Sequence, residues 1–333
     1  MEFGLSEEQQ ELVTTVRGLL AKRADPRAVR AAIASDAGHD EALWQTLVEQ
    51  IGAAALAIPE AYDGAGFSLF ESLLVLEEVG RSLAPSPLLS SLITAEALLA
   101  GADADARARL LPRIAAGEVA AFVDGSGAAV LDGDLATVLV AATDAGLVEV
   151  DPASARCMRL GSVDQTLRLA QVDLDGATTT PIGDADASRA ARERATLVGT
   201  VGAAALATGV AARGLEMTVA YSKTRVQFGR PIGSFQALKH RMADMLVRVE
   251  MARSASWAAS YAVSSRHDDQ GELAHVAGSY CGEAAAHVAG ETVQLHGGIA
   301  ITWEHDAHLV FKRAHAVGQL FGQPHQHRAL VEL

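Results

Sequence analysis

The sequence predicts a mainly α-helical protein: an N-terminal helical domain, a short β domain and a C-terminal four-helix bundle. Three observations predict it. Half of the 333 residues are apolar and only 5% are aromatic. The chain is rich in alanine, the best helix former, a bias that suits helix packed closely on helix. Apolar residues recur at helical spacing in the first third and again beyond residue 182. Between these stretches, over 119–175, short runs of Val, Leu and Thr are punctuated by Gly and Asp, the pattern of short strands. The domains are expected at 1–117, 118–182 and 183–333.

Taken in order, Ser6 and Gln9 have the spacing of a capping box. Leu12, Val13, Val16, Leu19 and Leu20 carry the first helix away from it. A second helix is expected over 40–50. IPEAYDGAGFS (58–68) holds Pro and several small turn formers and reads as a loop. Helical spacing resumes over 69–81 and stops at LAPSPLL (83–89), because proline cannot continue a helix. Two shorter helices are expected over 88–100 and 104–116. The runs AAFV, AAVLDG, ATVLVAA, GLVEVD, ARCMRLG and LRLAQVDLDG then read as strands. Helices follow over 184–222, 235–264, 271–295 and 304–321, and long helices joined by short loops make a bundle.

Composition narrows the function. The net charge is −14, so the chain repels a phosphate backbone overall, and no basic stripe interrupts the acidity. Nucleic acid and anionic membrane are therefore excluded as expected partners, while a local cationic pocket for a phosphorylated ligand is not. Cys157 and Cys281 lie far apart, with no metal-type spacing and no disulfide framework, as suits a reducing cytoplasm. The start MEFGLSEEQQ lacks the basic and apolar regions of a secretory signal. No apolar run of the length that spans a bilayer is expected, and the expected location is cytoplasmic.

Two motifs carry chemistry. In TRVQFGRPIGSFQALKHRMADM (224–245), Arg225 and an aromatic lie just past a long helix. A Gly-Arg-Pro-Ile-Gly turn follows, and Ser234 is a candidate N-cap for the next helix. A helix N-terminus beside an arginine is suited to an anion, although a capped turn between helices explains the same spacing. In QLHGGIAITWEHD (294–306), paired glycines between two helices allow close backbone approach, as does an ordinary glycine C-cap.

Together these motifs resemble the C-terminal bundle of acyl-CoA dehydrogenases. IPEAYDGAGFSLFESLLVLEEVGRSLAPSPLL (58–89) is similar to that family's helical domain. LPRIAAGEVAAFV (111–123) and DQTLRLAQVDLDGA (164–177) look like the entry to its β domain and the end of it. TWEHDAHLVFKRA (302–314) resembles the actinobacterial branch that handles steroid side chains and other bulky acyl groups. The resemblance implies FAD as cofactor, an acyl-CoA substrate and an electron-transfer flavoprotein or similar acceptor. It places Arg225 on the FAD pyrophosphate across a subunit interface, where a guanidinium binds a diphosphate bidentately. Phe228 matches the aromatic beside the cofactor and Gln236 a polar residue of the same wall. Gln294 with Gly297 and Gly298 matches the approach to the adenosine part of FAD in a neighbouring subunit.

The family reaction is α,β-dehydrogenation: a carboxylate takes the α-proton of the thioester while the β-hydrogen leaves as hydride to the flavin. Two positions in the family hold that glutamate. Here they are Phe321, in QLFGQ, and Gly199, in the long first bundle helix, and neither side chain accepts a proton. Glu193 and Glu216 are out of register on that helix. Glu304 is the substitute candidate, and an acidic residue in the first turn of a helix is its plainer reading. The β domain also lacks the family's Thr/Ser-Glu-Pro-x-x-Gly-Ser-Asp-like loop, the nearest string being DGSGAAVLDGD (124–134). The expectation is therefore a subunit of an α2β2 heterotetramer that lacks the base and completes FAD sites on a second acyl-CoA dehydrogenase subunit. Three alternatives stay open: a homomeric dehydrogenase with a relocated base, a flavin-free structural or acyl-binding protein, and a flavin monooxygenase on the same fold.

Overall fold

The structure is a computed structural model that describes residues 4–331. Its helices are α1 (Glu7–Arg23), α2 (Pro26–Ala34), α3 (Glu41–Thr46), α4 (Leu69–Ser82), α5 (Leu88–Gly101), α6 (Ala104–Ala115), α7 (Ala185–Thr224), α8 (Gln236–Ser265), α9 (Gln270–His296), α10 (Ala307–Val317) and α11 (Pro324–Arg328). The strands are β1 (Ala120–Val123), β2 (Val130–Leu131), β3 (Val138–Ala142), β4 (Leu147–Val150), β5 (Arg156–Arg159), β6 (Leu169–Asp173), β7 (Thr179–Gly183), β8 (Val226–Gln227) and β9 (Arg230–Pro231). The protein is thus mainly α with a small β region, as the sequence predicts. The chain divides into two compact units, Met1–Val75 with Pro85–Gly199, and Leu76–Ala84 with Thr200–Leu333.

In the first unit the capping box at α1 forms, with Ser6 and Gln9 exchanging side-chain and backbone hydrogen bonds. Val13, Val16 and Leu20 are the residues it buries. Two sheets follow, one ordered β1-β3-β4-β7 and the other β2-β6-β5. Among the described residues only β1 and β3 pair in parallel. Ala121, Val123, Leu139, Ala141 and Val150 of the first sheet share a core with Val130, Ala170 and Val172 of the second. Helix α5 packs on β1 and is buried on every side from Leu88 to Leu98. Its polar residues therefore need partners. Ser90 donates to Asp132 at 2.7 Å, and Glu96 receives Arg194 of α7 at 2.6 Å, both side chains being almost fully buried.

In the second unit α8 lies along α9, and α9 also packs on α10 and α11. The stretch 76–84 of α4 crosses α7 with the two backbones nearly touching. A methyl group on Gly209 would overlap the Glu77 carbonyl oxygen, and one on Gly80 would overlap the Leu206 carbonyl. The Glu77 carboxylate, 6% exposed, receives Arg253 Nε at 3.0 Å and Trp257 Nε1 at 2.9 Å from α8. Arg81 makes a two-point ion pair with Glu216 of α7.

Several expectations need correction. Helix α2 was not anticipated, although Asp25 caps it and Pro26 opens it, a strong start signal. Strand β7 lies beyond the expected strand runs and has Pro181 inside it. The strand sits at a sheet edge, where a missing amide is tolerated. Ser234 does not cap α8. Its hydroxyl donates back to the Pro231 carbonyl within a 3-10 turn, and Phe235 holds the cap position without a side-chain bond. The last long helix is shorter than 304–321, so Glu304 lies in a turn before α10 and not in a helix. Finally, α7 does hold an 18-residue stretch apolar enough, by length and composition, to cross a membrane, and 89% of that stretch is buried within the protein.

The Glu96–Arg194 pair gives a direct test. Glu96→Ala leaves a buried guanidinium without its counter-charge, which costs about 3–5 kcal/mol. Urea unfolding followed by circular dichroism is expected to show that loss, while Glu7→Ala on the surface shows nearly none.

Candidate functional site

Helix α7 ends at Thr224, and the Arg225 amide still donates to the Tyr221 carbonyl at 2.9 Å. The chain then turns back in a two-residue hairpin, with Val226 opposite Pro231 and Gln227 opposite Arg230. Its central residues, Phe228 and Gly229, both have positive φ, 53° and 75°. Such a turn favours Asn-Gly, because left-handed backbone crowds a Cβ. Phe228 nevertheless occupies it and is 91% exposed. Its ring edge meets Phe235 at 6.1 Å, and Arg230 lies over the other aromatic at 4.1 Å from the Phe235 centroid. Arg225 is exposed, and among the described residues no hydrogen bond or ion pair engages its guanidinium. Gln236, also exposed, opens α8 with its amide 3.5 Å from His240 Nε2.

The second motif closes α9. Gln294 is exposed, His296 is 4% exposed, and Gly297 caps the helix with φ 67° and ψ −149°. A Cβ on Gly297 or Gly298 would meet nothing within 4 Å, so the backbone there is open to an approaching group. His296 Nδ1–H donates to the Thr292 carbonyl at 2.7 Å. Its ring stacks on Tyr221 of α7, centroids 4.5 Å apart and planes at 26°. His305 lies 4.7 Å away. Burial pushes the His296 imidazole below its ordinary range, the Thr292 bond opposes that, and nearby His305 adds to it. The two sequence motifs are thus joined through a stack of rings.

The second unit also holds a small cavity close in sequence to the two expected base positions, neither of which lines it. Thr200, next to Gly199, and Gly322, next to Phe321, line one cavity with Ala204, Gly278, Leu320 and His327. The cavity is about 10 Å³, room for about one water molecule. No carboxylate lines it. Phe321 is half-buried at φ 56°. Glu304 is exposed and not among the lining residues, Glu193 is exposed, and Glu216 is held by Arg81.

Sequence reading did not single out His327, Tyr221 or His296 as site-forming residues. His327 is 4% exposed and wedged between two glycines: a Cβ on Gly278 would come within 2.8 Å of its ring and one on Gly322 within 3.0 Å. Its Nδ1 faces His275 Nδ1 at 3.1 Å, so one ring donates there and the other accepts. Burial holds the His327 imidazole below its usual range, and His275 lowers it further, against a backbone hydrogen bond with Gly322.

Comparison with known proteins shows what the chain is similar to. The family model described as acyl-CoA dehydrogenase, C-terminal domain, matches residues 189–331, and that for the N-terminal domain matches residues 6–118. Acyl-CoA dehydrogenase IpdE2 of Mycobacterium tuberculosis is 46% identical over 96% of this chain and 95% of the relative. Among solved structures, the ChsE4-ChsE5 complex from Mycobacterium tuberculosis superimposes with a TM-score of 0.89 at 25% identity, covering 99% of this chain and 97% of the other. The Tcur3481-Tcur3483 steroid ACAD, G363A variant, gives 0.85 at 29% identity, covering 97% and 96%.

The histidine pair predicts a pH effect. Because the folded state lowers the affinity of His327 for a proton, the unfolded chain binds more protons in mild acid. The contribution of this group is therefore complete above about pH 6.5 and is lost as the pH falls below it. Thermal unfolding from pH 8 to 5 is expected to show a smaller loss of Tm in His327→Gln than in the wild type. Parallel curves would remove His327 from the account.

Proposed function

The chain belongs to the acyl-CoA dehydrogenase family, and from that premise we propose that it is the partner subunit of a cytoplasmic two-subunit acyl-CoA dehydrogenase. In this reading it completes FAD sites on a second, base-carrying subunit and contributes no base itself. The observation that carries it is the contrast between two parts of the molecule. The surface that the resemblance assigns to a neighbour's cofactor is open, and neither position to which the resemblance assigns the base, Gly199 or Phe321, carries a carboxylate.

The fit of FAD to the first surface rests on the residues present. A diphosphate needs a cation free to take it, and the Arg225 guanidinium is exposed and without another partner among the described residues. An aromatic held out on a left-handed turn, at a local cost of about 1–3 kcal/mol, is explained if the ring packs on something beyond this chain. The open backbone at Gly297 and Gly298 admits a flat group at contact distance. When bound, FAD supplies the hydride acceptor of the dehydrogenation. This chain's part is to orient it: Arg225 neutralises charge, Phe228 excludes water and Gln294 offers an amide.

Partner binding is supported by the outer face of α8. Leu246, Val247, Met251 and Tyr261 are each about half exposed or more, and at helical spacing they share one face with Gln236 at its start. Large apolar side chains exposed together on one face, with Glu250 and Ser254 among them, support an interface there. The substrate class is a CoA thioester with a bulky acyl chain, a steroid side chain being the favoured case. The steroid-associated relative and the 302–314 stretch support that choice. An electron-transfer flavoprotein is the proposed acceptor.

The test is to co-express the chain with a base-carrying acyl-CoA dehydrogenase subunit, purify the pair and the single chain, and count FAD by absorbance. One FAD per heterodimer with little in the single chain is expected. One FAD per single chain, with acyl-CoA oxidation, would overturn the reading. In the pair, Arg225→Ala is expected to weaken FAD binding about tenfold to hundredfold, the worth of a charge-assisted contact, without loss of assembly. Unchanged FAD affinity would exclude Arg225 from the site.

A further inference from the structure

We propose that His296 is a positioning residue that locks the Arg225 hairpin to the Gln294–Gly298 turn, so that both parts of the cofactor surface move as one rigid face. What that face holds rests on the functional reading above; the lock itself rests on contacts within this chain.

The hairpin has a short root. Tyr221 accepts the Arg225 amide at 2.9 Å, and Arg225 accepts the Ile232 amide at 2.8 Å. Whatever fixes Tyr221 therefore fixes the hairpin's point of departure. On the other side, Gly297 leaves α9 in a backbone conformation that only glycine adopts easily, and a 3-10 turn over Gly297–Ile301 follows it. His296 is the last residue of α9 before that turn.

One ring joins the two. The Nδ1–H to Thr292 bond pins the imidazole to its own helix. One face stacks on Tyr221. His305 packs against the imidazole from the turn before α10, and its Nδ1 in turn accepts the Ala307 amide at 3.1 Å. Below this layer Thr218 and Thr292 meet hydroxyl to hydroxyl at 3.2 Å, so the helices are already in register when the rings meet. Leucine would fill the space without a flat face to stack or an N–H to donate. Phenylalanine would keep the stack and lose only the pin.

That difference supplies the test. Hydrogen–deuterium exchange is measured on the full-length chain as wild type, His296→Ala and His296→Phe. His296→Ala is expected to speed exchange at Arg225 and Ile232 about three- to tenfold, the worth of an aromatic pair. Amides in the middle of α8 should stay unchanged, and His296→Phe should recover most of the protection. Equal hairpin exchange in His296→Ala and wild type, or uniform loosening of the whole bundle, would overturn the lock. If His296→Ala does not fold, Tyr221→Leu removes the same stack from the other side and carries the same expectation. In the co-expressed pair, FAD affinity is expected to follow the hairpin, weaker in His296→Ala and recovered in His296→Phe. A loosened hairpin with undiminished FAD would overturn the claim that the lock serves the cofactor face. A loosened hairpin in a pair whose wild type holds no FAD would support the lock and refute the functional reading instead.

Discussion

The arrangement of the second unit depends on one close crossing. The backbones of α4 and α7 approach so nearly at Gly80 and Gly209 that neither position has room for a Cβ. At that distance the helices cannot slide, because any shift drives a carbonyl into a neighbour. The crossing also sets where Glu77 points, and its carboxylate gathers Arg253 and Trp257 from α8. A buried carboxylate with a guanidinium and an indole N–H on it is satisfied and directional. The register of α8 against α7 is thereby fixed, and with it the outer face on which Leu246, Val247 and Met251 stand.

From that frame the molecule divides its chemistry unevenly. The ends of α7 and α9 present cationic, aromatic and open-backbone groups outward. The cavity near Thr200 and Gly322 is lined by an imidazole wedged between glycines and by no carboxylate. Burial holds that imidazole below its ordinary range, and its Nδ1 is already engaged with His275. Packing and proton transfer rely on different residues, so an architecture is kept within a family while sites change.

Much of this was legible in the sequence, for identifiable reasons. Long helices declared themselves by periodicity, and the short strands from β1 to β6 by their Val-rich runs between Gly and Asp. Local signals failed where a second force intervened. Pro181 argued against a strand that an edge position tolerates, and Ser234 had the look of a cap but bonds backwards to Pro231. The motifs around Arg225 and Gln294 stood out because neighbouring residues carry them. The roles of His296 and His327 did not, because their partners are Tyr221 and His275, far away along the chain. Nothing in a linear pattern distinguishes a histidine that stacks across a bundle from one on a solvated face. The small cavity was likewise invisible, since it is made by the absence of side chains at Gly278, Gly282 and Gly322 as they come together.

The hairpin that holds Phe228 out has a consequence for the life of the chain. A ring kept in water on a left-handed turn is the kind of surface that binds holdase chaperones and seeds clumping. Under the pairing proposed above, a copy without a companion leaves that ring uncovered, and synthesis matched in amount to the companion keeps it from chaperones and proteases.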